Sequence, residues 1–273
     1  MLNKIEGTSG VLAVEIAKQI ALGAGSLLVD RFNEIKEISV KGRGNIVTNV
    51  DLEVEGYILT KLKEEFPSMR FMGEESEKEK SNISDGYVWI VDPLDGTRNY
   101  VSGIPFFSVV VGLALDGDVL LGVNYDPMRK EMFHAARGKG AFLNDRPIAV
   151  SRKTKMEDGV LGTDMSYDDG GAGKGLGLVR SLWPGMQTVR IMGSSALGLS
   201  YAAAGRYDLY FHHQLEPWDQ VAGMILVEEA GGVITDRVGR RAGLHSDGLI
   251  ASNKILHEDF IRKTDDMQWR RPS

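Results

Sequence analysis

The chain has 273 residues, 42% of them hydrophobic, which is enough apolar material for one large domain or two closely packed lobes. Its formal net charge of −6 argues against nucleic acid or an anionic membrane as the main partner, because both select basic surfaces. No cysteine is present, so disulfides and thiolate metal sites are excluded, and any metal must be held by oxygen or histidine.

The first ten residues lack a basic and apolar signal pattern, and no apolar run reaches membrane-spanning length. We therefore expect a cytoplasmic protein that requires neither a membrane nor nucleic acid. An acidic chain of this kind binds an anionic substrate only with local help from cations or basic residues.

Residues 11–32 repeat Val, Leu, Ala and Ile at helical spacing without proline, which predicts one long helix. The period is lost over 36–49, where Gly42 and Gly44 flank Arg43, so a mobile excursion or a β-hairpin is expected. A solvated glycine loop is the more common interpretation of such a segment. The alternative is that its basic residues reach a phosphate or a metal-bound water.

Asp51 precedes an apolar stripe at i+4 steps over residues 52–66, which indicates an amphipathic helix. A carboxylate here is sufficiently explained as an N-cap, since it accepts backbone N–H bonds and complements the helix dipole. Pro67 is expected to end the helix.

A short strand is predicted at 70–72, and it runs into the Gly-Glu-Glu-Ser sequence at 73–76. Charges continue over 75–84, which is interpreted as a solvated loop. Glu74 is the exception, because open α/β sheets place ligand groups at strand ends.

An apolar run at 87–91 leads directly into two carboxylates three residues apart, Asp92 and Asp95. The run predicts a buried strand, and Pro93 is expected to end it because proline cannot donate a hydrogen bond to the sheet. Gly96 and its short polar neighbours suit the start of a helical turn, whose free N–H groups attract anions. The carboxylates would repel each other and such an anion unless divalent cations lie between them. A surface Asx-type turn is the ordinary alternative.

Strands are predicted at 106–115 and 119–125, joined by an Asp-Gly hairpin turn, and residues 131–134 and 141–143 are expected to extend the sheet. His134 lies at a strand end, where a lone histidine is more often structural than catalytic. The region after the central carboxylates is therefore predicted to be mainly β-structure.

The polar stretch 151–158 is interpreted as the boundary between two lobes. The predicted division is an N-terminal α+β lobe at 1–150 with the metal motifs, a C-terminal α/β lobe at 151–265 and a loose tail at 266–273. A strand is predicted at 160–163. A glycine-rich loop is predicted at 167–177, and it lacks the spacing and the Ser or Thr of a nucleotide-binding loop.

A strand at 188–192 is predicted to lead through Gly193-Ser194-Ser195 into a helix at 196–204. Another strand is predicted at 207–212. His212 and His213 are adjacent, so on a strand they point to opposite faces, which disfavours a zinc site.

Asp219 begins a predicted helix at 220–230, which a glycine pair ends. Its carboxylate is either an N-cap or a metal ligand brought from the second lobe. Strands at 233–235 and 249–251 are expected to complete the sheet.

Three motifs occur in order: Gly-Glu-Glu-Ser at 73–76, Trp-Ile-Val-Asp-Pro-Leu-Asp-Gly-Thr-Arg-Asn-Tyr at 89–100, and Trp-Asp-Gln-Val-Ala-Gly at 218–223. They resemble the inositol monophosphatase family of metal-dependent, lithium-sensitive phosphatases, and the resemblance extends from about residue 11 to residue 261. It implies the layered αβαβα sugar-phosphatase fold, of the α+β class, with two lobes that share a cleft and pair as a homodimer.

The resemblance also implies the site residues of a Mg²⁺-dependent phosphomonoesterase with two to three ions. Glu74, Asp92 and the carbonyl of Leu94 would hold one ion, Asp92, Asp95 and Asp219 a second, and a third would lie near Glu74. The attacking water would be oriented by Glu74 and Thr97, with Asp51 behind the threonine.

Substrate contacts implied by the resemblance involve a further group: Asp95, the N–H groups of Gly96 and Thr97, Arg98, Arg190, Ser194, His212 and, on a flexible loop, Lys41. Family members commonly carry a glutamate that binds inositol hydroxyls where this chain has His212, so its substrate pocket departs from the pattern. The substrate is expected to be a small phosphorylated polyol or sugar.

The metal motifs do not separate inositol monophosphatase from a fructose-1,6-bisphosphatase, a histidinol phosphatase or another sugar or nucleotide phosphatase of the superfamily. An alternative of another class is a non-catalytic regulatory or RNA-polymerase-associated protein that keeps the fold. Retention of every implied metal ligand speaks against that alternative.

Overall fold

A computed structural model describes residues 5–42, 45–76 and 83–271 of the chain. These residues form a seven-stranded sheet, a five-stranded sheet and a two-stranded hairpin. The strands are β1 Ile38–Gly42, β2 Asn45–Thr48, β3 Arg70–Gly73, β4 Tyr87–Asp95, β5 Ser108–Leu115, β6 Asp118–Asp126, β7 Glu131–Ala136, β8 Ala141–Leu143, β9 Arg146–Pro147, β10 Val160–Thr163, β11 Thr188–Ile191, β12 Leu209–His212, β13 Val233–Asp236 and β14 Leu249–Ser252.

The helices are α1 Ala13–Arg31, α2 Asn49–Glu65, α3 Thr97–Val101, α4 Asp169–Leu182, α5 Ser195–Ala203, α6 Pro217–Glu229 and α7 Lys254–Lys263, with 3-10 helices at Met156–Asp158 and Gln268–Arg270. Across the described ranges, no helix combines the length and the apolar character that crossing a membrane requires.

The first sheet runs in chain order from β3 to β9 and carries the central carboxylates on β4. Side chains along β4 alternate between two cores. Trp89 and Val91 pack with α1 and α2, whereas Val88 and Ile90 pack in the cluster that contains α5 and α6. Burial on both faces explains why this strand has a near-continuous apolar sequence.

The second sheet has the order β11-β10-β12-β14-β13. On β12, Tyr210 packs in the core of α5 and α6, while Phe211 packs on the opposite face with α4 and α7. Helices α5 and α6 therefore lie between the two sheets. The succession of helices, sheet, helices, sheet and helices confirms the αβαβα fold, whereas the division into lobes at residue 150 stays a prediction.

The β-hairpin predicted within 36–49 is present, since β1 and β2 pair antiparallel. Arg43 and Gly44 lie outside the described residues. The hairpin leads straight into α2, so Lys41 is carried on a short two-stranded arm beside the first sheet.

The prediction that Pro93 ends the central strand is wrong. β4 continues to Asp95, and its pairing with β5 shifts register between Asp92 and Asp95. Pro93 and Leu94 on β4 therefore lie opposite Val109 alone on β5, which is a β-bulge, the position in a sheet that tolerates proline. The bulge places both carboxylates on the same end of one strand.

The glycine-rich loop predicted at 167–177 is wrong for most of its length, because α4 begins at Asp169. Asp168 caps the helix by accepting the Gly171 N–H, and Leu178 and Leu182 are buried one turn apart. Gly171 packs against the His213 ring, in a space that a Cβ atom could not occupy. The glycines in this helix thus reflect close packing as well as backbone freedom.

The loose tail predicted at 266–273 is wrong for residues 266–271, and residues 272–273 lie outside the described part. Trp269 is 1% exposed, and its ring packs against Phe211 with centroids 5.1 Å apart. Arg237 donates hydrogen bonds to the carbonyl oxygens of Trp269 and Arg271, both at 3.2 Å. A large aromatic side chain near the C-terminus supplies enough apolar burial to dock the segment.

Candidate active site

Three carboxylates from two elements converge at the end of β4. Among the described residues, Asp92, Asp95 and Asp219 offer oxygen atoms that all lie within 4.8 Å of one another. Asp92 and Asp95 come from the bulged end of β4, and Asp219 comes from the first turn of α6. The structure therefore brings together ligands that are more than a hundred residues apart in the chain.

Asp92 is buried, and one of its oxygens accepts the Leu94 N–H at 2.9 Å. Burial raises the pKa of Asp92 well above its usual value, and the charges of Glu74, Asp95 and Asp219 raise it further. Each of these effects disfavours the ionised form. A carboxylate in this position needs a nearby positive charge to stay ionised near neutral pH.

Asp95 lies at the N-terminus of α5, although it belongs to the first sheet. Its oxygens accept the backbone N–H groups of Ser195 at 3.2 Å and Ala196 at 3.1 Å. They also accept the hydroxyls of Ser194 and Ser195. Burial raises the pKa of Asp95, and these hydrogen bonds oppose the shift. The carboxylate thus joins the two halves of the chain through a helix start.

Asp219 is not the N-cap of α6, because that position belongs to Glu216. Asp219 is the third helical residue, and its carboxylate accepts the Glu216 N–H at 2.8 Å, which forms a capping box. Burial, followed by the charges of Asp95 and Glu74, raises the pKa of Asp219 well above its usual value. The capping bond leaves acceptor capacity directed at the other two carboxylates.

Asp51 is likewise not an N-cap, because Thr48 occupies that position and Asp51 is the third residue of α2. Its carboxylate accepts the Thr48 N–H at 2.9 Å and the Thr48 hydroxyl. The Thr97 hydroxyl lies 3.2 Å from the same carboxylate and 3.0 Å from the Leu94 carbonyl oxygen. Thr97 and Asp51 are thus in contact, and the sequence signature Thr-x-x-Asp was the missed sign of the capping box.

Glu74 lies just beyond β3 and is paired with the hairpin lysine. The Lys41 Nζ atom is 3.3 Å from Glu74 and 2.6 Å from Glu75. Burial raises the pKa of Glu74 to about 7. The positive charge of Lys41 opposes this rise, and the negative charges of Glu75 and Asp51 increase it. Glu74 stays outside the group of three converging carboxylates, although its charge acts on two of them.

The solvated loop predicted at 75–84 is wrong at its first residue and mostly lies outside the described part. The side chain of Glu75 is only 3% exposed, because Lys41 covers it. The charge run therefore includes Glu75, whose buried carboxylate is paired with Lys41, 34 residues earlier in the chain.

Gly96 has a left-handed backbone conformation, with φ of 97°, directly before α3. A Cβ atom there would lie 3.1 Å from the Phe106 carbonyl oxygen and 3.2 Å from that of Gly193. Both conformation and space therefore require glycine at this turn. The next residue, Thr97, starts the helix.

Asn99 is a site residue that sequence reasoning missed. Its side-chain amide donates to the carbonyl oxygens of Met192 at 2.7 Å and Phe106 at 2.8 Å. It thereby ties α3 to the loop after β11. An asparagine inside a helix gives no sequence sign of such a long-range contact.

The residues expected on the substrate side occupy different environments. The Arg98 guanidinium is 4.9 Å from the ring centre of Tyr167, a half-exposed residue of the second half of the chain. Arg190 is exposed on β11 and donates to the Thr188 hydroxyl and the Val189 carbonyl oxygen. Ser194 is the N-cap of α5 and contacts Asp95.

His212 is buried, and burial lowers its pKa to about 4. Its Nδ1 atom accepts the Gln214 N–H at 3.2 Å, so the neutral ring carries its proton on Nε2. This histidine is therefore a neutral donor.

The donor set fits a hard divalent cation. Carboxylate and carbonyl oxygens are the ligands that Mg²⁺ prefers, and the described group contains only carboxylates. Their pKa values are raised by burial and mutual repulsion, which a bound cation reverses. We therefore consider this cluster a candidate metal centre.

Comparisons with known proteins agree with this geometry. The family model described as the inositol monophosphatase family matches residues 12–268. Inositol monophosphatase 3 from Solanum lycopersicum is 36% identical over 254 residues, which cover 91% of this chain and 95% of that protein. The fructose-1,6-bisphosphatase/inositol-1-monophosphatase of Thermotoga maritima is 36% identical over 239 residues, 87% of this chain and 90% of that protein.

A solved structure shows the same fold. The extragenic suppressor protein suhB from Bartonella henselae superposes with a TM-score of 0.86 at 36% identity, covering 92% of this chain and 98% of that chain. These matches confirm the resemblance that the three sequence motifs carry.

Proposed function

This chain belongs to the inositol monophosphatase family and is a phosphomonoester hydrolase, and we propose that it acts on a small phosphorylated polyol with Mg²⁺, inositol 1-phosphate being the first candidate. The observation that carries the proposal is the convergence of Asp92, Asp95 and Asp219. Hydrogen bonds at two helix starts position Asp95 and Asp219, but they do not explain why three carboxylates lie this close together, whereas phosphoryl transfer requires bound cations at such a place.

Two to three Mg²⁺ ions would be held by the residues already described. Glu74, Asp92 and the Leu94 carbonyl would hold one ion, and Asp92, Asp95 and Asp219 a second, with a weaker third near Glu74. Bound Mg²⁺ supplies charge neutralisation for the phosphoryl oxygens, a more acidic water and a counter-charge for the leaving alkoxide. Asp92 takes part in two sets, so its loss should have the largest effect.

The protein's own groups would orient the attacking water. Thr97 shares one hydroxyl proton between Asp51 and the Leu94 carbonyl oxygen, which leaves the hydroxyl lone pairs available to a water. Glu74 would take the proton that this water loses, acting as the general base. The N–H groups of Gly96 and Thr97 would receive the phosphate.

A sugar bisphosphate is the second candidate substrate. The Thermotoga maritima relative is named for both fructose-1,6-bisphosphatase and inositol-1-monophosphatase activity. In this chain His212 is neutral, and the arginines that we expect on the substrate side, Arg98 and Arg190, are both exposed, which would favour a second anionic group. Comparing catalytic efficiency on inositol 1-phosphate and fructose 1,6-bisphosphate decides between the two.

The test of hydrolysis is turnover of inositol 1-phosphate with and without Mg²⁺, for the wild type and Asp92→Asn. Activity is expected only for the wild type with Mg²⁺. Asp118→Asn, at an exposed aspartate on β6 of the same sheet, is the matched control and should behave as the wild type. Equal activity in all arms would refute the proposal.

Lithium sensitivity and a homodimer are also proposed, both from family membership. Li⁺ would replace an ion held partly by Asp95 or Asp219, so inhibition should be strongest when Mg²⁺ is limiting. Activity unaffected by Li⁺ under those conditions would count against lithium sensitivity.

Sedimentation equilibrium of the purified chain measures the oligomeric state, and a monomer at all concentrations would contradict the homodimer.

A further inference from the structure

Glu55 is a buried carboxylate for which the reaction described above has no role. It is 3% exposed and lies on α2, four residues after Asp51. Residues four apart on a helix lie on the same face. Glu55 and Asp51 therefore form a pair of buried carboxylates on the side of α2 that faces the site.

The Glu55 carboxylate contacts the backbone on both sides of Glu74. Its Oε2 atom accepts the Glu75 N–H at 2.8 Å. On the other side, a Cβ atom added to Gly73 would lie 2.5 Å from Oε2, so the glycine provides the space that the carboxylate occupies. Glu55 thus holds the turn at 73–75 from one side.

Within the described ranges, the backbone of Glu74 itself makes one hydrogen bond. β3 ends at Gly73, and the Glu74 N–H reaches the Val91 carbonyl oxygen at 3.3 Å, a long hydrogen bond. Its side chain is paired with Lys41, which comes from the hairpin of β1 and β2. The direction of the Glu74 carboxylate therefore depends on the turn that Glu55 fixes.

We propose that Glu55 is a positioning residue for Glu74, holding the turn at 73–75 so that the Glu74 carboxylate can serve as ligand and base. The inference rests on the proposed function. Two carboxylates of α2 would then support the attacking water: Asp51 contacts Thr97, and Glu55 contacts the turn that carries Glu74. Thr97 and Glu74 are the two groups proposed to orient that water. A carboxylate suits the task, since its bond to a backbone N–H is stronger than that of a neutral acceptor.

The experiment compares Glu55→Ala with Glu55→Gln, which keeps an oxygen acceptor at the same reach. Mg²⁺ affinity is measured by calorimetry without substrate, and kcat and KM are measured separately. Losing a hydrogen-bond partner behind a metal ligand typically costs about 10–100-fold in metal affinity or activity, and Glu55→Ala is expected to show that loss in Mg²⁺ affinity and kcat, with KM near wild type. Glu55→Gln should recover most of it.

Two further variants keep the result interpretable. Gly73→Ala keeps Glu55 but pushes the turn away from it, so it should reproduce the loss of metal affinity even where Glu55→Ala fails to fold. Glu53→Ala, at an exposed residue of α2 whose ion-pair partner is Arg31 of α1, should match the wild type.

The inference is overturned if folded Glu55→Ala and Gly73→Ala both bind Mg²⁺ as the wild type does, or if Glu55→Gln is as impaired as Glu55→Ala. A wild type that neither binds Mg²⁺ nor hydrolyses a phosphomonoester contradicts the proposed function instead. Wild-type binding with unaffected variants contradicts only the role of Glu55.

Discussion

Helices α2 and α6 both begin with a capping box, but the capping aspartates face different surroundings. In each, an aspartate at the third helical position accepts the N–H of the N-cap residue, at 2.9 Å for Asp51 and 2.8 Å for Asp219. Both form capping boxes, and both carboxylates have raised pKa values because of burial. Local geometry alone does not distinguish them.

The difference lies in what each carboxylate faces. Asp51 meets the hydroxyls of Thr48 and Thr97, which donate hydrogen bonds and oppose the rise in its pKa. Asp219 meets Asp95 and Asp92, and the charges of Asp95 and Glu74 add to the rise in its pKa that burial causes. The first carboxylate is surrounded by hydrogen-bond donors of the protein, whereas the second, apart from its capping bond, faces other carboxylates and is proposed to need a cation. The capping box fixes the position of each aspartate. The residues that its carboxylate faces decide whether it accepts hydrogen bonds or is suited to bind a metal.

The largest expected effect is a difference in Mg²⁺ affinity between variants of Asp219 and Asp51. Asp219→Asn removes a ligand, so Mg²⁺ affinity should fall by more than the roughly 10–100-fold typical of losing a partner behind a ligand. Asp51→Asn should bind Mg²⁺ nearly as the wild type does. Calorimetric titration of Mg²⁺ into each variant measures the difference. Equal affinities for the two variants would show that the comparison is wrong.

A smaller effect concerns turnover in the first helix start. Asp51→Asn should lower kcat by about 10–100-fold at saturating Mg²⁺, because Thr97 loses the carboxylate that orients its hydroxyl. KM should change little, since the phosphate contacts remain. Steady-state kinetics gives both constants. Thr97→Val, which keeps the shape but removes the hydroxyl, should show a similar loss, and additive losses in the double variant would argue that the two residues act independently.

Stability should respond to the same two substitutions with opposite sign. Without metal, Asp51→Asn should reduce the free energy of unfolding by roughly 1–3 kcal/mol, because the amide cannot accept all the hydrogen bonds that the carboxylate accepts. Asp219→Asn should raise it, since one member of a repelling group becomes neutral. Urea unfolding in the presence of a chelator measures both. A loss of stability in both variants would mean that the capping bond outweighs the repulsion at Asp219.

Sequence reasoning predicted what depends on local pattern. The strands at 160–163 and 249–251 and the helix at 196–204 match β10, β14 and α5 to within a residue or two. The resemblance supplied the three converging aspartates, which periodicity alone could not place together. The occurrence of the motifs in the family's order, at plausible separations, linked Asp219 to Asp92.

What escaped prediction depends on tertiary contact. A proline in a buried strand is permitted only by a bulge, and the bulge exists because β5 pairs on both sides of it. The glycine-rich α4 is helical because Leu178 and Leu182 bury against the second sheet, which outweighs the low helix propensity of glycine. Trp269 docks on Phe211 for the same reason.

The smallest expected effect concerns substrate selection by His212, at the end of β12 before α6. His212 is neutral and uses Nδ1 for the Gln214 N–H, so it has one ring atom, Nε2, to offer a hydroxyl. A carboxylate accepts from two hydroxyls at once, and one charge-assisted hydrogen bond contributes about 1.5 kcal/mol at the lower end of its range. Glu at this position should therefore shift the preference towards inositol 1-phosphate.

His212→Glu is expected to raise the ratio of catalytic efficiencies, inositol 1-phosphate over fructose 1,6-bisphosphate, by about tenfold, since 1.4 kcal/mol corresponds to a factor of ten. His212→Gln, uncharged and of similar reach, is the control and should leave the ratio near the wild-type value. An unchanged ratio in His212→Glu would exclude His212 from substrate selection. The two helix starts would then differ only in the partners of Asp51 and Asp219, with specificity decided elsewhere, for example by Arg98 where it stacks on Tyr167.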